Sequence, residues 1–79
     1  MAERDQILEM SVLIAAVDGG SFTAAARHHD LTPSGVSKIV SRLERRLGVR
    51  LLQRSTRRMT LTDDGARFCE RARAILAEV

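Results

Sequence analysis

Two stretches of helical pattern, at residues 22–29 and from residue 33 onward, are separated by a break that cannot hold more than a tight turn. The first, "FTAAARHH", is preceded by Ser21, whose hydroxyl suits an N-cap. After Asp30-Leu31 comes Thr32, a second good N-cap, then Pro33, which fits the first helical position because its missing N–H has no intrahelical partner to lose. The second stretch should run from Pro33 to Leu47 and stop at Gly48. With so short a break the two helices cannot lie far apart, and they must cross at an angle. The small side chains Ala24 to Ala26 allow another helix to come close. On the longer helix, Val36, Ile39, Val40, Leu43 and Leu47 form the stripe expected to be buried, which leaves Ser34, Ser37, Lys38, Ser41, Arg42 and Arg45 on the outer faces. Gly35 costs about 1 kcal/mol there relative to alanine, which a close approach to something outside the helix would explain.

The flanking segments fall into place around this pair. From Asp5 to Val17, apolar residues at Ile7, Met10, Leu13, Ile14 and Val17 give a helical stripe that Gly19-Gly20 should end. After Gly48 the period shortens. "RLLQRS" and "RRMTLT", with Leu52 and then Met59 and Leu61 alternating with polar residues, suggest a two-stranded hairpin. Thr62 then caps a last helix, with Asp63 and Asp64 in its positive first turn. That helix is still patterned at Val79, so it is expected to continue past the last residue. The fold class is mainly α, one small domain with no repeats and no linker-like tract.

Composition narrows the function. The net charge is only +3, but Lys38 to Arg58 holds eight cations and the single acid Glu44, a net of +7 in 21 residues, while the other 58 residues carry −4. Such segregation suits a surface facing a polyanion; a solvated charged face is the plain alternative. With no Trp or Tyr and two Phe, the core must rest on aliphatic residues, and the stacking platforms of single-stranded RNA readers are missing. One cysteine forms no internal disulfide, no apolar run has the length of a membrane span, and "MAERDQILEM" is too polar for a signal peptide. A soluble, cytoplasmic chain is expected.

Two short helices with a tight break, the first alanine-rich and the second basic, describe a helix-turn-helix. The second helix must stand off the body so that its opening turns reach base edges, with Ala25 and Ala26 at the crossing and Leu31, Val36 and Ile39 as anchors. A basic hairpin directly after it adds a wing. The chain resembles the N-terminal DNA-binding domain of LysR-type transcriptional regulators through "GSFTAAA" (20–26), "LTPSGVSKIVSRLERRLGVRLLQR" (31–54), "LT" (61–62) and Gly65 followed by Phe68, Ala72, Ile75 and Leu76. Gly35 departs from the alanine common in the family, and the turn uses Asp30, which tolerates left-handed geometry, in place of glycine. The resemblance implies a winged helix-turn-helix, a three-helix core with a two-stranded wing, over residues 4–61 (the motif at about 21–40, the wing at about 50–61). A linker and dimerisation helix would begin at 62–79, and an effector-sensing domain, the seat of any small-molecule response, would follow.

Carried over by position, the resemblance places DNA contacts at Thr32, Pro33, Ser34, Ser37, Lys38, Ser41 and Arg42, and wing contacts at Arg54, Arg57 and Arg58. Lys38 and Arg42 can reach guanine edges or phosphate. Phe68, Ala72, Ile75 and Val79 recur at 4-3-4 spacing, widened by Cys69 and Leu76. Part of this stripe should pack on the first helix and the rest, centred on Phe68, Ala72, Ile75, Leu76 and Val79, should pair with a second copy, so that the preferred double-stranded DNA is an inverted repeat. No enzymatic activity, cofactor, metal or membrane partner is expected. His28 and His29 point about 100° apart on a helix with no further ligand at useful spacing. Cys69 has no activating base nearby in sequence, helix-start electrostatics account for Asp63-Asp64, and Arg45 and Arg46 read as solvated cations at a helix end. The competing reading is a winged-helix module for an acidic protein partner, against which the small, polar "TPSGVS" argues, since such surfaces favour large apolar anchors.

Overall fold

The computed structural model describes the backbone of residues 2–54 and 59–78, and the side chains of 5–53 and 59–78. Its elements are α1 (Ala2–Gly19), α2 (Phe22–His29), α3 (Pro33–Leu47), β1 (Leu52–Arg54), β2 (Met59–Leu61) and α4 (Asp63–Ala77). The fold is the winged helix-turn-helix that the pattern implies, mainly helical with a two-stranded antiparallel sheet. Leu52 pairs with Leu61, Gln53 with Thr60 and Arg54 with Met59.

The helix boundaries follow from local chemistry. The Ser21 hydroxyl accepts from the Ala24 N–H at 3.0 Å, Thr32 from Gly35 at 3.0 Å and Thr62 from Gly65 at 2.9 Å, each satisfying a donor that the helix start leaves free. Asp30 takes the left-handed conformation at the end of α2 (φ 57°), and Gly48 does so at the end of α3 (φ 75°). Of the two glycines after α1, only Gly20 (φ 79°) serves as the stop. Gly19 remains helical, and a Cβ there would lie 2.4 Å from that of Ala24, so its role is to let α2 come close. Gly35 has a local reason as well: an added Cβ would meet the capping hydroxyl of Thr32 at 3.1 Å.

Helix α1 packs against α2, α3 and α4, and the core forms around it. It joins Val12, Leu13 and Ala16 to Ala25 and Ala26 of α2, Val36, Val40 and Leu43 of α3, Leu51 and Leu52 at the entry to the wing, and Cys69 of α4. Three expectations about burial change. Three partners on α1 shift its buried face toward Val12 and Ala16, leaving Ile7, Ile14 and Val17 half-buried. Leu47 is 42% exposed, because it lines an open groove between α1, α3 and α4 rather than the closed core. Leu31 is also exposed, at 37%; the left-handed turn at Asp30 carries it outward, so the α2–α3 crossing rests on Ala25, Ala26 and Val36 instead.

Segment 50–52 is gripped from several sides. Leu51 and Leu52 are buried, the Thr62 N–H donates to the Leu51 carbonyl at 3.0 Å, and the Thr62 hydroxyl donates to the Arg50 carbonyl. Gly65 presses against the same peptide: a Cβ there would sit 2.0 Å from the Leu51 oxygen. An atom cannot occupy that space, so α4 lies against the wing entry only because residue 65 has no side chain. Gly65→Ala should therefore force α4 away and cost at least about 1–3 kcal/mol, as overpacking does. Urea denaturation followed by circular dichroism checks this, with Gly20→Ala, which meets nothing within 4 Å, separating close approach from the cost of positive φ.

Candidate nucleic-acid interface

The exposed face of α3 is set by helical spacing. Ser34, Lys38, Ser41, Arg42 and Arg45 recur at three- and four-residue steps and lie opposite Val36, Val40 and Leu43, which are buried. Thr32, Pro33, Ser34, Lys38 and Arg42 are exposed, while Ser37 and Ser41 are half-buried on the flanks of the ridge. Seven of the expected contact residues thus share one continuous surface. At its start the side chains are short, and the Thr32 and Ser34 hydroxyls lie 3.3 Å apart. The Thr32 oxygen already accepts from the Gly35 N–H, so its first duty is to cap the helix. Short polar groups at this end let the backbone approach a partner closely, and the longer Lys38 and Arg42 follow one and two turns later.

Arg54 ends β1, beside the C-terminal half of α3 in sequence, and pairs in register with Met59. Arg57, Arg58 and Val79 lie outside the described residues, as does the Arg54 side chain.

Arg46 has a different role from the solvated cation expected. Its guanidinium grips the Glu9 carboxylate of α1 with two hydrogen bonds, 2.9 and 2.6 Å. Glu9 is only 6% exposed, and this fork holds it. The hydrogen bond to Glu9 raises the Arg46 pKa further above its ordinary value, so the cation is committed to the pair. Sequence spacing could not reveal a partner 37 residues away. Glu44 was also missed, although being the lone acid among eight cations was a signal. Its Oε2 accepts the N–H of Leu51 at 2.8 Å and of Leu52 at 3.2 Å, joining the last turns of α3 to the start of β1.

The apolar stripe of α4 divides. Ala72 is 1% exposed and Cys69 3%, both turned into the chain's own core, so Ala72 has no surface left to offer a second copy. Burial pushes the Cys69 thiol up, away from the reactive thiolate. Leu76 is half-buried in a recess lined also by Ile14, Ala15 and His28. Ile75, 48% exposed, and half-buried Phe68 line a groove of about 460 Å³ with Ile7, Met10, Leu43 and Leu47. At the Leu76 recess Arg73 holds Asp18 of α1 at 2.7 Å, and that hydrogen bond lowers the Asp18 pKa. His29 Nε2 lies 3.2 Å from the Ser11 hydroxyl, and the His28 and His29 rings meet edge to face at 4.9 Å. Among the described residues no group of three or more His, Cys, Asp or Glu converges as a metal site, and no helix is long and apolar enough to cross a membrane.

Residues 7–66, from α1 through the wing to the first turn of α4, match the model of the bacterial regulatory helix-turn-helix proteins of the lysR family. The chain belongs to the LysR family. It is 46% identical over 71 residues to the HTH-type transcriptional regulator CrgA of Neisseria meningitidis serogroup C (strain 8013), covering 90% of this chain and 24% of CrgA. The crystal structure of a CbnR DBD–DNA complex superposes with a TM-score of 0.84 at 35% identity, over 90% of this chain and 82% of that one. A BenM DBD complex with benA site 1 DNA gives 0.87 at 29% identity, over 91% and 81%. The chain spans about a quarter of the length of the curated relatives it matches.

Within this LysR-family fold the Glu9–Arg46 pair orients α3 on α1. Arg46→Ala would leave a buried carboxylate without its partner, so it should lower the urea midpoint clearly, whereas Arg45→Ala, an exposed neighbour, should barely move it. Equal shifts from the two variants would mean that the pair does not hold the helix in solution.

Proposed function

We propose that this chain is the sequence-specific, double-stranded-DNA-binding part of a LysR-type transcriptional regulator, working in the bacterial cytoplasm as a dimer and by binding alone, without catalysis. The observation that carries this reading is the outer face of α3, which begins with Thr32, Pro33 and Ser34, continues through Lys38 and Arg42, and is exposed at each of these positions. Ser37 and Ser41 flank this ridge. Two relatives of the same fold, CbnR and BenM, are seen with DNA. In this reading the opening turns of α3 enter the major groove. Lys38 and Arg42 reach bases or phosphates, and Arg54, Arg57 and Arg58 of the wing grip the flanking backbone. Residues 4–61 form the binding unit and α4 begins the linker helix; effector sensing belongs to a domain outside these residues. Selection of bound duplexes from a random pool tests the reading directly: enrichment of one motif is expected, and its absence would refute sequence-specific binding. Affinity for the selected duplex should fall with salt at a log–log slope of roughly −4 to −5 per subunit, for four to six phosphate contacts. A nearly flat slope in fluorescence anisotropy would instead favour the acidic protein partner.

Dimerisation rests on the apolar groove of α4. Ile75 is its exposed member and Phe68 lies half-buried beside it; a second copy seated there would relate the two α3 helices by a two-fold axis and make the site an inverted repeat. Ile75→Asp places a charge on that seam and should turn the dimer into monomers in sedimentation velocity. Binding to paired half-sites should weaken, through lost linkage, far more than binding to a single half-site. An unchanged sedimentation coefficient on an inverted repeat would rule out this face.

A further inference from the structure

We propose that Glu44 is the positioning residue that sets the wing at a fixed offset from α3, so that wing and helix meet one DNA backbone together; this rests on the DNA-binding reading above. Glu44 occupies a singular place. Its main-chain carbonyl accepts the Gly48 N–H at 2.8 Å and so closes α3. Its side chain crosses the turn that follows and catches the two successive N–H groups of Leu51 and Leu52 on one oxygen. Leu52 opens β1, which ends at Arg54. One residue thus ends the reading helix and starts the wing.

On its other side the same segment is held from α4. The Leu51 carbonyl accepts from Thr62, and Gly65 abuts it. The Leu51–Leu52 peptides are therefore pinned by their N–H groups to α3 and by a carbonyl to the start of α4. Releasing the N–H side leaves the wing attached to α4 and free to tilt relative to α3. Arg54 lies two residues past Leu52, about 7 Å along a strand, so a tilt of about 20° would move its backbone by about 2 Å. A misplacement of that size is enough to lose a charge-assisted contact made at hydrogen-bond distance. An acceptor is what the junction requires. Glutamate reaches both donors from the last turns of α3, and its charge strengthens the two bonds. This accounts for one acid persisting in a segment otherwise built of cations.

Coupling between positions 44 and 54 distinguishes positioning from simple stabilisation. Glu44→Gln keeps the reach and a carbonyl acceptor; Glu44→Asp keeps the charge but is one methylene short. Arg54→Ala is measured in the wild-type, Gln and Asp backgrounds, by anisotropy on a labelled duplex selected with the wild-type chain. In the wild-type and Gln backgrounds Arg54→Ala should weaken binding about tenfold, and in the Asp background about threefold or less, because the wing there has already lost its place. Hydrogen exchange should show the Leu51 and Leu52 amides protected in wild type and Gln and exposed in Asp, while amides in the middle of α3 stay protected in all three. The same loss factor for Arg54→Ala in every background, with wild type binding well, overturns the proposal. So do unprotected Leu51 and Leu52 amides in the wild-type chain, whether or not the variants fold. Failure of the wild type on every duplex is a different result: it removes the DNA-binding reading, and this inference with it.

Discussion

The two peptide groups of Leu51 and Leu52 are the point at which the helical core, the wing and the final helix are tied together. Their side chains are buried, their N–H groups go to Glu44, and the Leu51 carbonyl goes to Thr62. Buried backbone groups without partners are costly, so a segment leaving a helix for a three-residue strand must find its hydrogen bonds nearby. A short hairpin has few pairs of its own to hold it. What makes so small a wing a definite structure is this junction, with Gly65 allowing α4 to close over it.

The exposed face of α3 is the reverse side of the same economy of space. In a chain of this size α3 must contribute Val36, Val40 and Leu43 to the core and still present a free face. The division works because the helix is held at separate places along its length. Thr32 caps its start, Ala25 and Ala26 take its first turns, and Glu9 grips Arg46 near its end. Held this way, α3 needs no large apolar residues on its outer side, and at its start Thr32, Pro33 and Ser34 keep that side low enough for a partner's backbone to come near.

What was legible in the sequence was local. Ser21, Thr32 and Thr62 cap as their positions imply, Gly48 and Asp30 take left-handed conformations, and "RLLQRS" and "RRMTLT" contain the two paired strands. Each depends on neighbours within a few residues, where hydroxyl geometry and backbone sterics decide. Most of what the sequence left hidden involves partners far along the chain. Arg46 looked solvated because Glu9 is 37 positions away, and Gly65 revealed nothing of the carbonyl it abuts. Leu47 and Leu31 fit the apolar pattern, yet a pattern does not show which positions the neighbouring elements cover. The stripe of α4 was likewise one stripe in sequence and two surfaces in space, since Ala72 and Cys69 turn inward while Ile75 stays out.

Charge counting shows the same gap between pattern and structure. From Lys38 to Arg58 the sequence sums to +7, but those charges are not equivalent. Arg46 is paired with the Glu9 carboxylate, so its charge is already answered in part within the fold. Glu44, which in the sum merely cancels one cation, is directed at two backbone donors between α3 and the wing. The other α3 cations, Lys38, Arg42 and Arg45, are exposed and spaced along one ridge, with Arg50 following on the exposed turn. A polyanion lying on that ridge would meet charges in a row at helical intervals. The proposed DNA-binding role rests on this placement more than on the total.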